Sequence, residues 1–152
     1  MKLILSLLLS LIPIKTSFMI IPYPDSDISI SIRALHLYFA TLQIETPNFN
    51  ENAINDTTKF IKAQGVLQQT KIVIKDANHI LGTYKYDTLS PLNFKTSTEI
   101  WLVIQNHYNP SFNITKGASL HIRGSTTLKG KYATWYVNKI KSIIKSLFNE
   151  KY

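Results

Sequence analysis

Residues 98–105, Thr98-Glu99-Ile100-Trp101-Leu102-Val103-Ile104-Gln105, hold five successive apolar residues between polar neighbours. A run this short and continuous has the pattern of a strand buried on both faces at the centre of a sheet. The flanking segments point the same way. Upstream, Thr70-Lys71-Ile72-Val73-Ile74-Lys75 reads as a strand with Ile72 and Ile74 on one face. Asp76-Ala77-Asn78 is turn chemistry, and His79 to Tyr86 returns as a second strand interrupted by Gly82, so a β-hairpin is expected. Downstream, Asn109-Pro110 marks a turn. Short segments follow around Phe112, at Leu120-His121-Ile122 and at Thr126 to Leu128, punctuated by Gly117, Gly124 and Gly130. This density of turns and short strands predicts a mainly β protein, an antiparallel sandwich.

Working outward, Ile28, Ile30 and Ile32 alternate with Ser29, Ser31 and Arg33, which reads as a further strand. Its apolar parity switches at Leu35, Leu37 and Phe39, as a bulge near Ala34 would require. Asn50 to Gln64 is the mid-chain helix candidate, with Asn50 or Asn52 as cap and Gly65 at its C-terminal end. At the other end of the chain, Val137, Ile140, Ile143, Ile144 and Leu147 recur at spacings of three and four over Thr134 to Asn149. That is one face of an amphipathic helix, with Lys139, Lys141 and Lys145 off the centre of the stripe. The expected division is an export or anchor segment at 1–17, a linker at 18–27, a β-sandwich at 28–132 and a basic amphipathic helix at 133–152. The segment 50–64 is then a helix inserted in the sandwich.

The order of these pieces resembles a known family. A strand precedes the Asp76-Ala77-Asn78 turn, then come Ile80-Leu81-Gly82, a loop with Pro91 and Leu92, and Thr96-Ser97-Thr98 leading into the apolar run. Leu120-His121-Ile122-Arg123-Gly124 and Lys129-Gly130 follow. Over about residues 28–135 the chain resembles the LEA14-like, or WHy, domain. The resemblance implies an Ig-like β-sandwich acting as a structural or binding module, with no catalytic residues to carry over.

Composition narrows the classes further. The 152 residues suit one domain, and 45% hydrophobic against 17% charged residues excludes a disordered chain. No cysteine is present, so disulfides, thiolate metal sites and cysteine nucleophiles are excluded. There are 21 Ile but only 4 Val, a bias that AT-rich codon usage produces, so Ile enrichment by itself argues little for strands. Met1-Lys2 followed by the apolar stretch Leu3 to Ile14 has the form of a secretory signal. Extended to Pro22 it reads as an uncleaved anchor, and a buried element of a soluble chain is the remaining alternative. The first two place the protein outside the cytoplasm, secreted or anchored to the outer face of the cytoplasmic membrane. Asn55-Asp56-Thr57 and Asn113-Ile114-Thr115 are glycosylation sequons, at the number chance supplies in this composition.

Candidate chemistry is sparse. His36, His79, His107 and His121 are isolated in sequence, so no metal site is expected. Glu45 and Glu99 are candidate paired carboxylates, but nothing local brings them together. Neither a nucleophile elbow nor a Ser-x-x-Lys motif is present, and the expectation is a non-enzymatic protein without cofactor. Charge is more informative. Of the net +8, residues 116–152 alone carry eight basic residues and one acidic. Arg123, Lys129, Lys131, Lys139, Lys141 and Lys145 are the candidate contacts to an anionic partner, with Trp135 and Tyr136 as interface aromatics. Such a cationic, aromatic end suits an anionic membrane or cell-envelope glycan. Nucleic acid or a virion is the alternative partner, through phosphate contacts and base stacking. A small ligand held between sheets is the third.

Overall fold

The apolar run at 100–104 lies in a helix. The computed structural model describes residues 28–50, 54–55, 63–88 and 92–149. Over these residues the helices are α1 (Ile28–Glu45), α2 (Lys71–Leu81), α3 (Phe94–Tyr108), α4 (Ile114–Arg123) and α5 (Lys131–Phe148). Between α1 and α2 lie three two-residue strands, β1 (Ile54–Asn55), β2 (Ala63–Gln64) and β3 (Gln69–Thr70). They pair antiparallel in the order β1-β2-β3, with Ile54 opposite Gln64 and Ala63 opposite Thr70. The expected β-sandwich is therefore overturned, and with it the Ig-like architecture that the LEA14-like resemblance implied. The segments 1–17 and 18–27, read as signal or anchor and linker, lie outside the described residues.

The continuity of the run has a helical cause. α3 lies between two apolar clusters. Ile100, Val103 and Ile104 face one, which holds Ile74 and Ala77 of α2, Leu120 of α4, and Tyr86 and Leu92 from the connecting segments. Trp101 faces the other, built from Leu37, Ala40 and Leu42 of α1, Ile114 and Ala118 of α4, and Tyr136, Val137, Ile140 and Ile144 of α5. A helix with core on two sides is apolar nearly all round, and a short stretch of it has no period to read.

The expected hairpin at 70–86 fails for a related reason. Ile72 is 70% exposed and Ile74 is fully buried, although a strand puts both on one face. On a helix, residues two apart point roughly 200° apart. The pair at 74 and 77 marks the buried side. Gly82, taken for a break in a strand, stops α2 instead. Its φ is +64°, its N–H donates to the His79 carbonyl at 3.1 Å, and the Thr83 N–H donates to the Asn78 carbonyl at 3.1 Å. This is a Schellman C-cap.

Two asparagines start the next helices. Asn93 Oδ1 accepts the Thr96 N–H at 2.8 Å, and Asn113 Oδ1 accepts the Lys116 N–H at 3.0 Å. Each cap contributes about 1 kcal/mol. The short segments around Phe112 and at Leu120–Ile122 are thus the entry to α4 and its last turns, not strands. The Ile28/Ile30/Ile32 alternation is likewise in a helix. His36, Leu37, Ala40 and Thr41 are buried at helical spacing, and Leu42 beside them is buried too.

The helix expected over 50–64 meets strands at 54–55 and 63–64, and its remaining positions 51–53 and 56–62 lie outside the described residues. Gly65 opens the β2–β3 turn with φ +76°, closed by the Gln68 N–H donating to the Gly65 carbonyl at 3.0 Å. Val66 and Leu67 at its tip are fully buried, so this turn plugs the α1/α5 cluster. Gln69 and Ser97 lock it to α3 through two hydrogen bonds, each 2.9 Å.

Candidate functional site

α5 carries most of the cationic end. Its apolar stripe, Ala133, Tyr136, Val137, Ile140 and Ile144, is buried against α1 and α4. Its first turn has no side-chain cap and no acidic residue. The chain from residue 100 to residue 149 contains no carboxylate at all, and seven Lys or Arg. Unpaired donors and the positive dipole end at the start of α5 add to that field.

The structure divides the six predicted cationic contacts. With 3.6 residues per turn, Lys131 and Lys139 lie one turn before and one turn after Trp135, each about 40° from it. Lys129 precedes them in the exposed 124–130 loop. Arg123 ends α4, and its Nη1 lies 3.4 Å from the point where a side chain on Gly130 would begin, beside the start of α5. These four are exposed, and none forms an ion pair with a described residue. Lys141 and Lys145 lie about 9 and 15 Å farther along the axis than Trp135, about 120° and 80° around it on the Lys131 side, and belong to the C-terminal half of α5.

The predicted interface aromatics also separate. Trp135 is 52% exposed, whereas Tyr136 is 1% exposed and is a core residue. The ring that joins Trp135 is Tyr132, 62% exposed, stacked on it with centroids 5.6 Å apart and planes at 18°. Three residues apart on a helix is the spacing of side-chain neighbours. The sequence signal for this pair was present, but Tyr136 stood equally well until the core position of its stripe was known. Of the two sequons, Asn113 spends its Oδ1 on the α4 cap and Asn55 lies in β1, with Asp56 and Thr57 outside the described residues.

Tyr136 belongs to a second polar group. Its hydroxyl donates to Glu45 Oε1 at 2.6 Å, and His121 Nε2 lies 3.3 Å from the same oxygen. The His121 and Tyr136 rings stack at 6.1 Å. Burial pushes the Glu45 carboxyl up, but the hydrogen bond and charge of His121 and the Tyr136 hydroxyl outweigh it and hold the group below its ordinary range. Burial, then the Glu45 charge, pushes the Tyr136 hydroxyl well above its own. The three residues clasp α1, α4 and α5 together. Glu99 is far from this in role. It pairs with Lys85 at 2.9 Å and Lys95 at 4.0 Å, so the two predicted carboxylates take separate partners.

Among the described residues no group of three His, Asp or Glu side chains has metal-binding geometry. An open groove of 760 Å³ runs past the end of α2, lined by Lys75, His79, Thr83, Tyr84, Lys85 and Asp87 among others. It lies on the surface, not between sheets. No helix among the described residues is long and apolar enough to cross a membrane. No family model, curated protein or solved structure matches the chain.

Proposed function

We propose that this protein is a non-enzymatic binding module that holds an anionic partner on the face formed by the 124–130 loop and the outer side of α5. The observation that supports this is the set Arg123, Lys129, Lys131 and Lys139, exposed and without a carboxylate partner among the described residues, around the exposed Tyr132–Trp135 pair. The apolar stripe of α5 is buried in the core, so this helix does not insert in a lipid interface the way a free amphipathic helix does. Contact through the outer side is therefore electrostatic, with the two rings as the flat apolar element. Export is part of the same proposal, on the strength of Met1-Lys2 and the apolar stretch behind it. N-terminal sequencing of the protein from its own host tests that part.

The binding test uses the full chain against anionic and neutral vesicles and against single-stranded DNA, each at low and high salt. Salt-sensitive association with an anionic probe, reduced by Lys129→Ala with Lys131→Ala, is the expected result. No salt-sensitive association with any of the probes overturns the reading.

A further inference from the structure

We infer that the partner held at this face is single-stranded nucleic acid, with Tyr132 and Trp135 as its base-stacking platform. The inference rests on the proposed anionic-partner face and adds what the anion must be. Two rings stacked within 18° of parallel and more than half exposed offer flat apolar surface to solvent. A lipid headgroup has the negative charge but no ring, and an acidic glycan packs only C–H groups on the two rings, since its sugars have no aromatic plane. A nucleobase has one, and every base has it, so recognition by stacking is sequence-tolerant.

The cations are placed to hold a strand that crosses the rings. Lys131 and Lys139 bracket Trp135 at one turn each, about 12 Å apart along the axis. Arg123 and Lys129 extend the positive track past the start of α5 towards the end of α4. With no carboxylate from residue 100 to residue 149, nothing in that stretch opposes a polyphosphate. A duplex keeps its bases inside, where side-on rings of a helix do not reach their faces, so the single strand is the form that satisfies rings and cations together.

The test compares a twelve-nucleotide oligo-dT, inorganic polyphosphate and anionic phosphatidylserine vesicles, each titrated into the full chain. Trp101 is buried and Trp135 is exposed, so quenching of tryptophan fluorescence on stacking reports Trp135. The expected result is quenching by oligo-dT and not by polyphosphate. Trp135→Ala and Tyr132→Ala each weaken oligo-dT binding about 5- to 150-fold, leave polyphosphate binding unchanged, and Trp135→Phe recovers part of the loss. With four cations on the strand, the slope of log K against log salt is about −2.8; Lys131→Ala lowers its size by about 0.7, and Lys141→Ala with Lys145→Ala leaves it unchanged. Circular dichroism confirms that each variant is folded. Equal binding of oligo-dT and polyphosphate, indifferent to both ring substitutions, overturns this inference and leaves the anionic-face reading standing. Tighter binding to the vesicles than to oligo-dT, weakened by Lys129→Ala with Lys131→Ala, does the same. Failure of all three probes to bind overturns both.

Discussion

The Tyr136 hydroxyl of α5 donates a 2.6 Å hydrogen bond to the Glu45 carboxylate at the end of α1, across 91 residues of sequence. The acceptor is charged, and both groups are largely withdrawn from water. Bonds to charged groups contribute about 1.5–3 kcal/mol. Tyr136→Phe keeps the ring in the core and removes only the donor. The expected cost is in that range, read as a lower urea midpoint with an unchanged m-value. A midpoint equal to the parent's would mean that the carboxylate is solvated rather than clasped.

The same carboxylate sets an acid sensitivity. Glu45 titrates below its ordinary value of 4.5 in the folded chain. A depressed carboxyl contributes stability that is present above the unfolded pKa and is lost as pH falls through the folded pKa. The melting temperature of the parent should therefore drop below about pH 4.5, and Glu45→Gln should drop less over that interval while starting lower at neutral pH. Parallel curves for the two proteins would remove Glu45 from the acid transition.

Gly117 is where α4 approaches α1. A Cβ at this position would overlap Leu37 Cδ2 and lie 2.8 Å from Asn109 Nδ2 and Gln105 Oε1. Helix propensity favours alanine over glycine by about 1 kcal/mol, but overpacking of this severity costs about 1–3 kcal/mol, and here backbone-anchored polar groups block relief. Gly117→Ala is expected to destabilise by denaturant unfolding. A gain in stability would show that the two helices are farther apart.

Ile72 and Ile74 discriminate helix from strand directly. Ile74→Ala removes a fully buried side chain and should cost about 2–5 kcal/mol. Ile72→Ser changes an exposed position and should stay within about 0.5 kcal/mol. Comparable losses at both sites would return the segment to a strand.

Several local signals in the sequence were sound and were attached to the wrong element. Gly82 and Gly124 punctuate the chain in any reading; here they end helices, each in the left-handed conformation with its N–H donating to a carbonyl of the last turn. The Ile-rich background obscured period, since Ile72 and Ile74 match a strand template while only one of them is buried. The cationic end and the stripe of the terminal helix were legible because both are periodic or cumulative properties of one segment.

Charge and the apolar face of α5 were determined by the sequence alone, since each follows from residues within a turn or two of one another. Tertiary structure decided the rest. It placed α3 between two cores, so that 100–104 is buried on nearly every side, and it turned Tyr136 inward to Glu45 and His121 while leaving Tyr132 outward on Trp135. It also carried Arg123 from the end of α4 to the start of α5. These are choices among faces and partners far apart in the chain, and they are made by how the five described helices bury apolar area together, which no window of a few residues contains.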